Sequence, residues 1–258
     1  MLSVNFRSVR GMLGFFSVLL AAAMVLFPIL IGILNFRESW LHTARDMEHA
    51  LGMQADFIRK WFVFHQNAVR SISRLSSVSS RDYPRMLMDF SNFARANANF
   101  DTILYVDNQG NPVVENLSGE PGTSPLSVAD RPYFKAAAEG KEHISGILQG
   151  RNTGKPIIIV SVPLSGEDGF EGLVFGSVSL DTLLSILRTT PFRVSGSFAL
   201  FSGGNGEAED NPFALRTEEI QALDSPGRKM LLYRDGEGER WLAKSAGLPE
   251  YGLTLAVR

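Results

Sequence analysis

The stretch DRPYFKAAAEGKEHISGILQGRNTGKPIIIVSVPL, from Asp130 to Leu164, decides the fold. Its head reads as a short helix: Asp130 is a candidate N-cap, Tyr133, Phe134 and Ala137 are its apolar residues, and Gly140 ends it. Its tail reads as a strand. Ile157 to Val160 is apolar on both faces, so the sheet holding it must be covered on both sides. One cover is expected to be a long N-terminal helix, the other the short helix and loop around Arg131. Arg131 is the residue that asks for a function. A guanidinium stays charged at any relevant pH, and if aimed inward it needs an anion. Leaving a buried charge without its partner costs about 3–5 kcal/mol.

Working outward, "FDTILYVD", "NQGN" and "PVVEN" read as strand, turn and strand, and "GLVFGSVSL" as the partner of the Ile157 strand through the hairpin "SGEDGF". Asp181 is placed to cap "TLLSILR". A shorter second unit follows: strand "GSFALF", helix "NPFALRTEEIQAL", a hairpin about Asp235-Gly236, and a closing strand "YGLTLAV". Upstream, Trp40, Ala44, Met47, Leu51, Ile58, Trp61 or Phe62, His65, Val69, Ile72 and Leu75 recur in steps of three and four, with a gap at Gln54/Ala55. That is one amphipathic helix, whose seam suits either its own sheet or a partner helix. Ser76 to Ser80 breaks it, and Asp82 can cap a second helix to about Ala96.

The 258 residues carry a formal charge of −2 and no cysteine, which excludes thiol chemistry and argues against a nucleic-acid partner. From Gly11 to Phe36 there is no charged residue. As a helix this run spans roughly 39 Å, enough for a hydrocarbon core of about 30 Å. It outlasts the ~7–15 apolar residues of a secretory signal, so an uncleaved anchor is the preferred reading. Arg7 and Arg10 place the N-terminus in the cytoplasm and residues 37–258 outside. The expected chain is α+β: a cytoplasmic N-terminus (1–10), a transmembrane helix (11–36), a long juxtamembrane helix (37–80) and two antiparallel-sheet modules in tandem (81–190 and 191–258). The apolar end "YGLTLAVR" suggests the front part of a longer protein.

The series DRPYF…TGKP…VP…SLDTL resembles the membrane-distal part of a double Cache domain, and the close "GERWLAKSAGLPEYGLTLAVR" resembles its membrane-proximal module. The resemblance spans roughly residues 37–258. It implies an extracytoplasmic sensor with two PAS-like modules on one long helix. Such a sensor is followed by a histidine kinase, diguanylate cyclase or chemotaxis domain and sits in the inner membrane, facing the periplasm. It also implies a carboxylate or amino-acid ligand in the distal module. Arg131 then matches the arginine that holds a ligand carboxylate, and Tyr133 and Phe134 match the two aromatics of the pocket wall. In the amino-acid-binding branch those aromatics are usually Trp and Tyr, and an acid stands where this chain has Ser177. Ser161 and Lys155 belong to or flank the strand that would floor the pocket.

The expected ligand set is therefore Arg131, Tyr133, Phe134, Ser161 and Ser177, for an organic acid or similar anion. The expected partners are the membrane and a second copy along the long helix. Catalytic residues, a metal and a cofactor are not expected. His42, His49, His65 and His143 form no metal motif, no serine sits in a G-x-S-x-G elbow, and "FSGGNGE" lacks the Lys-Ser/Thr of a phosphate loop. Two alternatives stay open: a protein-interaction module with a collapsed pocket, and an anchored hydrolase.

Overall fold

Helix α1 (Phe6–Ser73) runs unbroken through both the uncharged N-terminal segment and the amphipathic one. The computed structural model describes residues 6–117, 126–150, 154–167, 169–189, 196–202, 213, 215, 217–224 and 230–258. The side chains of 6–15, 18, 36, 37, 39–41, 217, 221 and 224 lie outside that description. The chain divides into two units, 1–48 and 49–258. The first is the N-terminal part of α1, where the large apolar side chains from Leu19 to Leu34 are exposed and Pro28 lies within the helix. Among the described residues no helix is long and apolar enough to cross a membrane. Of the expected span 11–36, the side chains of 11–15, 18 and 36 are outside the described residues.

The second unit is α+β. The remainder of α1 buries Leu51, Ile58, Phe62, His65, Val69 and Ile72, the seam expected from their spacing. Gln54 and Ala55, where the apolar pattern lapses, are buried as well, so the stripe is continuous. Next come α2 (Ser76–Ser79) and α3 (Tyr83–Ala96), and the Asp82 carboxylate accepts from the Arg85 N–H at 3.2 Å as the cap of α3.

The first sheet comprises β1 (Thr102–Asp107) and β2 (Pro112–Glu115), then, after α4 (Pro132–Ala138), β3 (His143–Ile144), β4 (Leu148–Gln149), β5 (Pro156–Gly166) and β6 (Gly169–Ser179). Its order is β2-β1-β6-β5-β3, with β4 also on β5, and every pairing is antiparallel. On one face Leu104, Val106, Ile159, Leu173 and Phe175 form a core with α4. On the other, Ile103, Tyr105, Ile158, Val160, Val174 and Val178 are equally buried. Both faces are covered, as the apolar run Ile157–Val160 requires.

Two expected caps shift by a residue or two. The N-cap of α4 is Arg131, not Asp130, because Pro132 takes the first helical position and holds Arg131 extended (φ −75°, ψ 143°). Helix α5 (Leu180–Thr189) is capped by Ser179, whose Oγ accepts from the Asp181 N–H at 3.2 Å; Asp181 lies in its first turn.

The second sheet, β7 (Phe198–Ser202), β8 (Met230–Arg234), β9 (Arg240–Leu248) and β10 (Leu253–Val257), has the order β7-β10-β9-β8, with α6 (Thr217–Asp224) among its core partners. The Asp235 carboxylate accepts from the N–H groups of Glu237 and Glu239 to shape the β8–β9 turn. Helix α1 touches both sheet modules. Its Arg70 pairs with Glu142 and its His65 ring lies 5.0 Å from Phe100, while Arg59 pairs with Glu250 and the Phe62 ring lies 4.5 Å from Tyr251.

Gly172 in β6 has φ +132°, and a Cβ there would lie 2.2 Å from the Val106 carbonyl oxygen. Backbone cannot retreat as a side-chain tip can. Gly172→Ala is therefore expected to destabilise by about 2–4 kcal/mol, read by denaturant unfolding.

His65 supplies a pH test. Its Nδ1 donates to the Trp61 carbonyl at 2.7 Å, while Nε2 is buried with no partner among the described residues. Burial pushes its pKa below the ordinary value, and does the same to His143. The folded state thus resists a proton that the unfolded chain accepts below about pH 6.5, and stability falls as pH drops through that region. The carboxyls that burial raises, Asp101 and Glu115, act in the opposite sense as they protonate. Between pH 7.5 and 5.5 the Tm is expected to decline, and His65→Phe to shallow that decline; an unchanged slope would assign the effect elsewhere.

Candidate functional site

Helix α4 covers the β5 end of the sheet but not its whole face. Where the cover stops, small polar residues join the apolar ones of the floor. Thr102, Ser177 and Ile159 form one row across β1, β6 and β5, and Ser179 and Ile157 the next. These rows floor a cavity of about 290 Å³, walled by the segment leading into α4 and by the β4–β5 connection.

Arg131 stands at its rim with a pinned backbone. Its N–H donates to the Val128 carbonyl at 2.9 Å, and its own carbonyl accepts from Phe134 and Lys135. Val128 is docked in turn, donating to Gly110 at 2.8 Å in the β1–β2 turn. The half-buried guanidinium is carried on that fixed backbone and lines the cavity, and among the described residues it makes no hydrogen bond or ion pair. A rigid fork of five donors at a concave wall is suited to a carboxylate held bidentately.

Of the expected set, Arg131, Tyr133 and Ser177 line the cavity, and Phe134 and Ser161 do not. Neighbouring helical residues point about 100° apart, so Tyr133 meets Phe175 at 5.2 Å while Phe134 turns to Phe170 at 5.6 Å. Ser161 shares the face of Phe175, its partner across β5–β6, but lies beside the edge strand β3, and its buried Oγ donates to the His143 carbonyl at 3.2 Å. Lys155 lines the far end; Arg151 and Asn152 fall outside the described residues. Among the described residues no cluster of His and carboxylates could hold a metal ion.

Two lining acids escaped the sequence reading, Asp101 and Glu115. Asp101 precedes β1, and its N–H donates to the Ser177 carbonyl at 2.9 Å, bringing it beside that position. Burial raises its carboxyl, opposed by the nearby Lys155 charge. Glu115 reaches the cavity through an irregularity. Pro112 pairs with Val106 and Glu115 with Leu104, the register shifting between them. Such a bulge changes which side chains face one way, so Pro112 and Glu115, of opposite parity in sequence, share the cavity face. Burial pushes the Glu115 carboxyl up too. In the sequence, the end of "PVVEN" looks like an ordinary solvated strand end; only a bulge-aware register would have flagged it.

No family model and no curated protein matches the sequence. Solved structures do match in fold. The ligand-binding domain of the Campylobacter jejuni chemoreceptor Tlp3, in complex with 4-methylisoleucine, has a TM-score of 0.67 at 12% identity, over 85% of this chain and 91% of its own. The sensor domain of the V. cholerae histidine kinase DctB has 0.64 at 16%, over 84% and 97%. The ligand-binding domain of the Pseudomonas fluorescens chemoreceptor CtaA, in complex with L-alanine, has 0.63 at 16%, over 82% and 94%. The chain thus has the fold of ligand-binding sensor domains from chemoreceptors and histidine kinases, in line with the double Cache resemblance. All three neighbours are ligand-binding or sensor domains of larger receptors.

Because Arg131 has no described partner, Arg131→Gln is expected to leave stability within about 0.5 kcal/mol of the parent. Truncating Tyr133 to Ala, which unpacks it from Phe175, is expected to cost about 3 kcal/mol. Equal losses in chemical denaturation would show Arg131 to be a structural tie instead.

Proposed function

We propose that this chain is the input domain of a membrane-anchored receptor, taking a small carboxylate-bearing ligand in the cavity of its first sheet module. The observation that carries the proposal is the Arg131 guanidinium: carried on a pinned backbone, lining the cavity, with no hydrogen bond or ion pair among the described residues. A ligand carboxylate supplies that charge. It also bridges the α4 segment to the sheet, so it favours whichever arrangement brings them together; differential affinity of this kind is all a ligand can use to shift a receptor. The neighbours solved with 4-methylisoleucine and L-alanine, both carboxylates, support the reading.

The anchor is the segment 11–36, supported by its lack of charge and by side chains such as Met24 and Phe27, 69% and 64% exposed, which have no aqueous rationale. Arg7 and Arg10 favour a cytoplasmic N-terminus and an extracytoplasmic 37–258, periplasmic in a cell with two membranes. Helix α1 is the natural transmitter to a kinase, cyclase or chemotaxis domain, since it joins the anchor segment to residues that touch both sheet modules. Exposed Met53, Phe57 and Phe64, spaced four and seven apart, offer a seam to a second copy.

The test is a thermal-shift screen of the full chain in detergent against organic acids and amino acids. A ligand at a hundred times its Kd is expected to add about 2.7 kcal/mol of stability, and Arg131→Gln to abolish the shift. An undiminished shift in that variant would remove Arg131 as the anchor of the ligand.

A further inference from the structure

Helix α1 meets the sheet modules unevenly across its width. Successive helical residues are turned by about 100°, so Arg59 and Arg70, eleven apart, share one edge of the buried stripe. Gln54, Trp61 and His65, seven and four apart, share the other edge, within about 40° of one another. The first edge is tied, Arg59 to Glu250 of the second module and Arg70 to Glu142 of the first. The second edge carries three buried polar atoms with no hydrogen-bond partner among the described residues: Gln54 Oε1, Trp61 Nε1 and His65 Nε2. Water would satisfy each of them, so each weakens the packed arrangement. Beyond that edge the helix surface is open, with Phe57 and Phe64 37% and 59% exposed.

One of the three groups titrates. The His65 ring is packed by Trp61 at 3.8 Å, Phe100 at 5.0 Å and Phe64 at 5.4 Å. Its Nδ1 donates to the Trp61 carbonyl, which leaves Nε2 of the neutral ring as an acceptor. The groups that face it are uncharged on every side: Trp61 and Phe64 from its own helix, Phe100 from the segment before β1, and behind Phe100 the ring of Phe93 from α3. Asp101, next in the chain to Phe100, lines the cavity, and Glu250 is held by Arg59. A second proton would charge the ring and turn Nε2 into a donor with no acceptor in reach.

We propose that α1 is a proton-operated rocker, in which protonation of His65 rolls the unsatisfied edge out to water while the ion-paired edge stays on the sheets. One roll hydrates all three polar atoms, because their spacing sets them on a single edge. The neutral ring favours the packed position and the charged ring the rolled one. Acidification below about pH 6.5, the ordinary value of a solvated imidazole, therefore shifts α1 outward. This input lies apart from the cavity and needs no ligand, yet it acts on the helix that joins the anchor segment to both modules.

The chain has no cysteine, so single introduced thiols can report the roll. Ala50, 6% exposed, lies on the unsatisfied edge, and Ala55, 4% exposed, on the far side of the stripe. The probe is dithiodipyridine, applied to the full chain in detergent, with each rate taken relative to the urea-unfolded chain at the same pH. Between pH 7.5 and 5.5 the relative rate of Ala50→Cys is expected to rise about tenfold, and that of Ala55→Cys to stay within about twofold. Adding His65→Phe, which keeps a ring but has no proton to gain, removes the rise. Ala68→Cys, on the same edge as Ala50, gives the reading should Ala50→Cys not fold, and circular dichroism at each pH checks every variant. An equal rise at Ala55→Cys would show general loosening. A rise that persists with His65→Phe would assign the titration to another group, such as His143, Asp101 or Glu115. Unchanged rates would show α1 fixed. Each of these three results overturns the inference and leaves the cavity reading standing.

Discussion

A sheet that is apolar on both faces must be covered twice, and the rest of this structure depends on how the second cover is made. On one face Ile158, Val160, Val174 and Val178 are buried without a gap. On the other, a helix of only seven residues, α4, does the covering. It packs on the rows around Val106 and Phe175 and covers less of those around Ser177 and Ser179. Thr102, Ser177 and Ser179 lie there beside Ile157 and Ile159, and the shortfall becomes a cavity of about 290 Å³.

The same short helix places the charge. Pro132 starts it, so Arg131 is held extended just outside, its N–H tied to Val128 and its carbonyl to the first turn. The side chain is thus carried on a pinned backbone, and among the described residues it makes no ion pair. On the proposed reading a ligand carboxylate supplies the partner. Glu115 lines the same cavity, brought to that face by one extra residue in an edge strand, where a bulge disturbs the fewest ladder bonds. Helix α1 links this site to the second module by pairs of similar kind, Arg70–Glu142 and Arg59–Glu250. Both pairs are partly exposed, so they orient more than they stabilise.

Much of the fold was legible in the sequence. The three-and-four spacing of Leu51, Ile58, Phe62, Val69 and Ile72 marks the buried stripe of α1, and the period-two runs mark β1, β2, β5 and β6, because burial imposes those periods on any chain that forms those elements. Asp82 was readable as a cap since nothing competes for its place. Asp130 is not the cap because Pro132 fixes the position after it, and Asp181 is not because the helix starts at Leu180, with Ser179 accepting from the Asp181 N–H. The site was less legible. Arg131 and Tyr133 stand out through the family pattern, but Phe134 and Ser161 do not reach the cavity, and Asp101 and Glu115 do so unannounced.

Sequence alone determined the class of the molecule: a long helix, then antiparallel sheets, with one arginine singled out at the head of a short helix. These are local matters of periodicity, punctuation and charge, and they survive without knowledge of what packs on what. Tertiary structure decided which side chains share one enclosed space. Glu115 and Arg131 line one cavity because of strand order, a register shift and the length of a covering helix, all of them relations between segments far apart in the chain. A pattern read along the chain carries no term for these relations.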